Sequence, residues 1–320
     1  MNLSDIYEPI QGDLEKVEQS LETVADVDVP LLAQLLRYAL KDGGKRIRSA
    51  LTLFSGKFHD YNLDLLVPMA TAVELLHSAT LVHDDIVDNS PVRRGKPTVS
   101  RAWDEARALL LGDYLFAKAG SLVASAGNLR VIKLFGQTLM TISSGELRQT
   151  DTIFDLKRAR DHYYHWISAK TACLFSTATE SGAVLSQSPE DIIKTMIDYG
   201  YNFGMAFQIV DDVLDFIGEE AEMGKPVGSD LSEGALTLPS ILFAESHPED
   251  NLFGSVIENK DAGNIALAVE RVRNSPVIDE CLAIASNFCS QACQAVEKLP
   301  DNSFRQALLD LAAYIIQRRK

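Results

Sequence analysis

Residues 65–88, with the sequence LLVPMATAVELLHSATLVHDDIVD, decide the fold class of this chain. Their apolar side chains recur three and four residues apart, as at Leu65, Met69 and Ala72, which is the spacing of an amphipathic helix. The apolar part ends in the acidic group DDIVD, so the stretch predicts a long helix that finishes in a cluster of carboxylates.

The same helical spacing recurs at residues 31–39, 192–197 and 308–316, and no alternating run is bounded by Asn-Gly or Asp-Gly. Ser188-Pro189, followed by two acids, predicts a helix start with Ser188 as the N-cap. No long Gly/Ser-rich or Pro-rich linker divides the chain. We therefore predict one all-α domain that spans residues 1–320.

The composition excludes several classes of protein. The 320 residues include 30 Lys and Arg against 45 Asp and Glu, which gives a formal charge of −15. Such a charge argues against a general nucleic-acid binder, because that function requires many cations to displace phosphate counterions. It also raises the question of how so acidic a chain could hold an anionic substrate.

The chain shows no sign of export or of membrane insertion. Its first nineteen residues are acidic, which does not fit a secretory or transit peptide. The apolar run at 67–82 contains Glu74 and His77, and we expect it to fall short of a membrane span. The four cysteines form no CxxC pair, so we expect a reducing, cytoplasmic location.

Two DDxxD groups carry the chemistry of this sequence. On a helix, residues i and i+4 lie one above the other, so Asp84 and Asp88 share a face with Asp85 at its edge. The second group, which ends the apolar run 203–210, repeats this spacing. Carboxylates repel one another at the negative end of a helix dipole, and a hard divalent cation such as Mg²⁺ relieves that repulsion. The candidate metal ligands and catalytic residues are Asp84, Asp85, Asp88, Asp211, Asp212 and Asp215.

Basic residues supply candidate phosphate ligands. The segment GGKRIR at 43–48 combines three cations with two glycines and is expected to open a helix with free backbone N–H groups, which suits an anion. RRGKP at 93–97 follows the first acidic group, and Arg side chains suit bidentate phosphate binding. Lys170, Thr171 and Lys225 are further candidates.

Together these motifs resemble those of the trans-prenyl diphosphate synthases of the polyprenyl synthetase family. The similarity is carried, in order, by GGKRIR, DDIVD, RRG, FQIVDDVLD and GKPVGSDLSEGALTLP, and it covers residues 43–240. It implies a helical bundle around a deep central cavity, usually in a homodimer. It also implies Mg²⁺, as three ions when substrate is bound and with Mn²⁺ as an alternative. The partners would be isopentenyl diphosphate and an allylic diphosphate, with no nucleic acid and no stable membrane insertion.

The resemblance also assigns roles to residues. The six aspartates would bind Mg²⁺ that bridges to the allylic diphosphate. The ligands of that diphosphate would be Arg93, Lys170, Thr171, Gln208 and Lys225. The ligands of isopentenyl diphosphate would be Lys45, Arg48, His77 and Arg94.

Product length would depend on the helical turns that precede Asp84. One turn measures ~5.4 Å, about the length of one isoprene unit. Short-chain members of the family usually carry an aromatic residue four or five positions before this aspartate. Here those positions are Thr80 and Ala79, with Leu76 one turn deeper. We therefore expect a long product of roughly six to ten isoprene units.

One departure from the family pattern leaves alternatives open. Ala235 stands where the family commonly has Lys, which removes one cation near the second acidic group. A non-catalytic subunit of a heteromeric synthase is therefore one alternative, and a geranylgeranyl or farnesyl diphosphate synthase is another. A remote alternative is an HD-type metal phosphohydrolase, suggested by His83-Asp84, although it leaves the second DDxxD unexplained. Phytoene and squalene synthases share acidic helices but lack the GGKRxR and RRG pair.

Overall fold

A computed structural model describes residues 2–41, 44–151, 159–218, 227–250, 252–259 and 262–318. The first half of the chain forms α1 (Leu3–Tyr7), a 3-10 turn (Glu8–Ile10), α2 (Gln11–Thr23), α3 (Pro30–Leu40), α4 (Ile47–Gly56), α5 (Leu63–Val87), strands β1 (Val92–Arg93) and β2 (Lys96–Pro97), α6 (Val99–Ala102), α7 (Glu105–Ser125) and α8 (Leu129–Asp151). The second half forms α9 (Ala159–Ile167), a π-helical turn (Ser168–Ala172), α10 (Cys173–Leu185), α11 (Glu190–Ile217), α12 (Ser229–Glu233), α13 (Leu238–Ser246), α14 (Leu252–Asn259), α15 (Ala262–Arg273), α16 (Val277–Val296) and α17 (Ser303–Gln317).

Helices α5 and α11 are the longest elements of the described chain, and they organise the bundle. Helix α5 packs chiefly against α7 and α4, and α11 packs chiefly against α16 and α10. One contiguous hydrophobic core contains buried side chains from Ile6 to Ile315. The prediction of an all-α protein is confirmed.

Glycines allow two of these helices to pack closely. A Cβ at Gly182 of α10 would overlap the carbonyl oxygen of Thr52 in α4. Because that oxygen belongs to backbone, no side-chain rotation could relieve the overlap. Gly182 therefore sets the distance between α10 and α4.

Two helices reach the length and apolar composition of a membrane span, contrary to the expectation from the run at 67–82. Helix α5 has 25 residues and a mean hydropathy of 1.6, and α7 has 21 residues and a mean hydropathy of 1.2. The expectation was wrong because α5 extends beyond that run at both ends. Of the most apolar window, 61% is buried inside the fold in α5 and 33% in α7. The burial of α5 is typical of a core helix.

Two local predictions differ from the structure. Helix α11 begins at Glu190 with Pro189 as its N-cap, one residue later than predicted, and the Ser188 hydroxyl makes no capping bond. Residues 92–97 form a small antiparallel hairpin, which the helical periodicity did not indicate. Arg94 (φ 52°) and Gly95 (φ 74°) both adopt left-handed conformations at its tip, which is typical of a type I′ two-residue hairpin turn.

Candidate active site

The first DDxxD group lies at the carboxyl end of α5, as predicted. Asp84 and Asp85 belong to the last turn, and the N–H of Asp88 donates to the Asp84 carbonyl at 2.8 Å. Asp85 is buried and accepts a hydrogen bond from Nε of Arg93 at 2.7 Å. Burial raises the pKa of Asp85, although Arg93 opposes this, and burial together with Asp84 raises the pKa of Asp88 against the opposing charge of Lys170. A bound cation would offset the negative charge of these neighbouring carboxylates.

The second DDxxD group lies near the end of α11, and its three carboxylates have different surroundings. Asp211 keeps 45% of its side chain exposed and pairs with Arg318 at 2.9 Å. Asp212 is buried and accepts hydrogen bonds from Tyr163 at 2.5 Å and from Gln208 at 2.8 Å. Asp215 is fully buried and accepts from the hydroxyl of Ser229 at 2.7 Å.

The structure thus separates the six aspartates into two sets. Asp84, Asp88 and Asp211 retain solvent exposure, whereas Asp85, Asp212 and Asp215 are buried. The buried carboxylates hold neighbouring segments in place through the contacts described above. The exposed set is better placed to meet a cation directly.

The π-helical turn connects the two acidic groups. The Nζ atom of Lys170 lies 3.4 Å from Asp84 and 3.1 Å from Glu146, and the hydroxyl of Thr171 donates to Oε1 of Gln208 at 2.6 Å. Gln208 in turn donates to Asp212, so a chain of polar contacts runs from α5 to α11. Burial lowers the pKa of Lys170, but the nearby carboxylates outweigh burial and raise it. Lys170 is therefore a fixed cation beside the first acidic group.

A second basic group surrounds His77 of α5. A Cβ at Gly44 would lie 3.0 Å from the guanidinium of Arg94, and the guanidinium of Arg48 lies 4.3 Å from the ring centroid of Phe175. Burial and the charges of Arg48 and Arg94 lower the pKa of His77 well below its usual range. His77 is therefore neutral at pH 7 and can donate a hydrogen bond without adding charge.

Lys45 has a different environment from the arginines of this group. Burial and the charge of Arg318, partly offset by Asp211, lower the pKa of Lys45 to about 8. Lys45 therefore keeps its proton at neutral pH but loses it in mildly alkaline solution.

The sequence predicts that the segment at 44–48 is available to bind an anion, and the structure confirms this only in part. Helix α4 begins at Ile47 and not earlier, with Arg46 as its N-cap. The N–H of Ser49 already donates to Oε1 of Glu74 at 3.1 Å, and Arg46 pairs with Glu18. The other cations of this segment are Lys45 and Arg48.

Three residues of the site were not found from the sequence: Glu146, Tyr163 and Arg318. Each meets its partner across 24 to 107 residues of chain, so no local spacing indicates it. Burial raises the pKa of Glu146, with Lys170 opposing. Glu146 could have been identified in the sequence as a charged residue on the inner face of α8.

The remaining sequence candidates are placed as follows. Leu76 and Ala79 are fully buried in α5, and the hydroxyl of Thr80 donates to the His77 carbonyl at 2.8 Å. At about 100° per residue, Thr80 lies about 40° from Asp84 around the helix and Ala79 about 140° away. Lys225 lies outside the described residues.

The HD-type arrangement is not supported. The ring of His83 contacts the carbonyl oxygen of Leu109 at 3.1 Å and packs edge-on against Phe116, so it is turned towards α7. Among the described residues, no three His, Cys, Asp or Glu side chains are close enough to enclose a metal ion. Carboxylates without an enclosing cage fit Mg²⁺, which takes one or two carboxylates together with water and substrate phosphates.

Comparison with known proteins shows which family the chain belongs to. A family model described as polyprenyl synthetase matches residues 29–272. The chain belongs to the polyprenyl synthetase family. It is 34% identical to heptaprenyl diphosphate synthase component 2 of Geobacillus stearothermophilus, over 99% of each chain. It is 33% identical to octaprenyl diphosphate synthase of Haemophilus influenzae, over 99% of this chain and 98% of that one.

A solved structure extends the family assignment to the whole fold. The polyprenyl synthase of Caulobacter crescentus, determined with calcium and isoprenyl diphosphate, superposes with a TM-score of 0.95 at 32% identity. The match covers 100% of this chain and 98% of that one. As a polyprenyl synthetase, the chain is a prenyltransferase with the isoprenoid-synthase all-α fold.

Proposed function

We propose that this polyprenyl synthetase is a long-chain trans-polyprenyl diphosphate synthase. It condenses isopentenyl diphosphate onto an allylic diphosphate and releases diphosphate. The observation that carries this proposal is the pairing of two acidic groups, linked through Lys170, Thr171 and Gln208, with a separate basic group around His77. Two diphosphates require two such sites. The names of the heptaprenyl and octaprenyl relatives support a long product.

The described residues form two groups, one for each diphosphate. Lys170, Thr171 and Gln208, with Arg93, would hold the allylic diphosphate. Lys45, Arg48 and Arg94 would hold isopentenyl diphosphate with the neutral donor His77. We assign Mg²⁺ to the exposed carboxylates Asp84, Asp88 and Asp211, as three ions with substrate bound, and bound Mg²⁺ would neutralise charge on the departing diphosphate.

The reaction follows from this arrangement. Lys170 stabilises the negative charge that develops as the allylic C–O bond breaks and its electron pair leaves with diphosphate. The double bond of isopentenyl diphosphate attacks the allylic carbocation, and the C–C bond forms. The attack leaves a tertiary carbocation on the isopentenyl unit. The departing diphosphate takes a proton from the carbon between that cation and the carbon that carries the remaining diphosphate, which restores an allylic double bond. The apolar interior excludes the water that would quench the carbocation.

The direct test is elongation. The purified chain is incubated with farnesyl diphosphate, labelled isopentenyl diphosphate and Mg²⁺, and the products are separated by chain length. We expect products of roughly six to ten isoprene units, as the depth of several helical turns predicts. No elongation would reject the proposal. Elongation only after a second protein is added would support the heteromeric subunit.

We also propose that the chain is a homodimer. Leu110, Leu129 and Met140 are between 65% and 82% exposed on neighbouring helices α7 and α8. Large exposed apolar surfaces of this kind commonly mark interfaces. Light scattering coupled to size-exclusion chromatography should give twice the mass of the chain, and Leu110→Glu with Met140→Glu should halve it. A monomeric wild-type chain would contradict this. The cytoplasmic location stays a prediction.

A further inference from the structure

A buried carboxylate lies in the middle of α5, away from the acidic groups. Glu74 is only 5% exposed, and its neighbours Val73 and Leu75 are fully buried. A buried charge is costly unless hydrogen bonds and an opposite charge compensate for it. The partners of Glu74 therefore indicate its role.

Those partners all belong to the segment that begins α4. Oε1 of Glu74 accepts hydrogen bonds from the N–H of Ser49 at 3.1 Å and from its hydroxyl at 3.2 Å. Oε2 lies 3.6 Å from the guanidinium of Arg46. The first turn of a helix offers N–H groups without internal partners, together with a positive dipole end. Glu74 thus serves as an internal anion at the start of α4.

Arg46 is held from a second side by α2. Its Nε and Nη2 atoms donate to the two carboxylate oxygens of Glu18 at 2.5 and 3.0 Å, a bidentate geometry. Arg46 also has φ 50° and ψ 28°, a left-handed conformation that is unfavourable for a residue with a Cβ. Such a conformation persists only where surrounding contacts impose it.

Helix α1 contributes the third contact. The hydroxyl of Tyr7 donates to the carbonyl oxygen of Lys45 at 2.9 Å. Tyr7, Glu18 and Glu74, here called the clamp, thus hold residues 45–49 from α1, α2 and α5. Lys45 and Arg48 lie before and after Arg46 in the chain. The charge of Arg46 itself is neutralised by Glu18 and Glu74.

Arg48 shows why this positioning matters. Its guanidinium lies over the ring of Phe175, and its buried Nε donates no hydrogen bond among the described residues. A donor fixed in advance binds an anion without losing conformational freedom at that moment. The fixed backbone of residues 45–49 is what places this donor.

We propose that the clamp is a positioning device for isopentenyl diphosphate: Tyr7, Glu18 and Glu74 act through Arg46 and Ser49 to hold Lys45 and Arg48 in the geometry that binds that substrate. This inference rests on the proposed function. The allylic diphosphate is held by other elements, so loss of the clamp weakens the binding of one substrate and not of the other.

The central test is Glu74→Gln, which keeps the size of the side chain and an oxygen for Ser49 but removes the charge that faces Arg46. We expect KM for isopentenyl diphosphate to rise about tenfold, while KM for farnesyl diphosphate and kcat change less than about twofold. Glu18→Gln should also raise KM for isopentenyl diphosphate. Because Glu18 is 46% exposed, this variant tests the proposal even where Glu74→Gln fails to fold.

The chain offers a matched control in Arg130. This arginine makes a bidentate contact with Glu190, with nitrogen–oxygen distances of 2.7 and 3.0 Å, and a second contact with Glu180 at 3.0 Å. It thus repeats the two-carboxylate geometry of Arg46 on α8, α10 and α11. Arg130→Gln should leave both KM values unchanged, which separates positioning from a general loss of ion pairs.

Two further measurements decide the outcome. Calorimetric binding of isopentenyl diphosphate should weaken about tenfold in Glu74→Gln, whereas binding of farnesyl thiodiphosphate should not change. In a double-mutant cycle, Glu74→Gln and Arg46→Gln should not add, because they remove the same contact. Equal rises of both KM values, or a lower kcat with unchanged KM for isopentenyl diphosphate, would overturn the inference. A wild-type chain that elongates nothing would instead reject the proposed function, and the binding measurement would still test the clamp.

Discussion

Lys45 is the residue of the basic group whose charge depends on pH in the working range. Its pKa is lowered to about 8 by burial and by Arg318, against the charge of Asp211. The protonated form attracts diphosphate, and the proton is lost as pH rises through this value.

We therefore expect KM for isopentenyl diphosphate to rise between about pH 7 and about pH 9, while KM for the allylic substrate does not follow it. Lys45→Arg should abolish the rise, because a guanidinium stays charged throughout this range. Steady-state kinetics across that range would check this. The same rise in Lys45→Arg would show that another group titrates.

Thr80 and Ala79 are the residues on which the expected product length depends. Ala79 is fully buried, and Thr80 lies on the same side of α5 as Asp84. A phenylalanine at position 80 would fill space along the turns below Asp84. One at position 79, about 140° around the helix, would instead crowd the buried neighbours of Ala79. Thr80→Phe should shorten the product more than Ala79→Phe does, as measured by chromatography of labelled polyprenols. A product of unchanged length in both variants would contradict the argument.

At the scale of elements, the contact of α10 with α4 depends on the lack of a side chain at Gly182. A methyl group there would overlap the Thr52 carbonyl and push the two helices apart. We expect Gly182→Ala to lower the free energy of unfolding by between about 1 and 3 kcal/mol. Denaturant titration would measure this. Gly12→Ala is the control, because nothing lies within 4 Å of its added Cβ, and it should not lower stability.

The elements that the sequence predicted are those specified by local patterns. Helices α5 and α11 could be predicted because each combines apolar residues at helical spacing with an acidic group at its end. The hairpin at 92–97 and the contact of Tyr163 with Asp212 could not, since they depend on backbone conformation or on a partner 49 residues away. Arg46 shows the same limit. The three cations of GGKRIR look equivalent in the sequence, yet Arg46 pairs with Glu18 and Glu74, which lie 28 residues away in the chain.

At the scale of the whole molecule, the net charge of −15 leaves room for anionic substrates because cations are concentrated among the acids of the site. Six of the 45 acids lie in the two DDxxD groups, where a cation would reverse the local charge. Lys170 and the group around Arg48 are localised cations in the interior of the site. Overall charge thus argues against nucleic acid as a partner but carries no information about a diphosphate site.

Binding of metal with diphosphate should stabilise the folded chain. Burial and mutual repulsion raise the pKa values of Asp85 and Asp88. A bound cation relieves this repulsion. We expect Mg²⁺ with inorganic diphosphate to raise Tm by more than either alone, with a gain of about 2.7 kcal/mol at a hundredfold excess over Kd. Excess chelator should reverse the shift. An equal shift in Asp84→Asn with Asp88→Asn would place the cation elsewhere.

The π-helical turn at Ser168–Ala172 has a consequence for how this site can be lost. A π turn closes its hydrogen bonds one residue later than an α turn, so it contains one residue more than the regular helix on either side of it. Deleting a single residue there would let α9 run into α10 as one regular helix. Lys170 and Thr171 would then be rotated relative to Asp84 and Gln208 by up to about 100°. One missing codon, with every catalytic side chain still encoded, is enough to disconnect the two acidic groups.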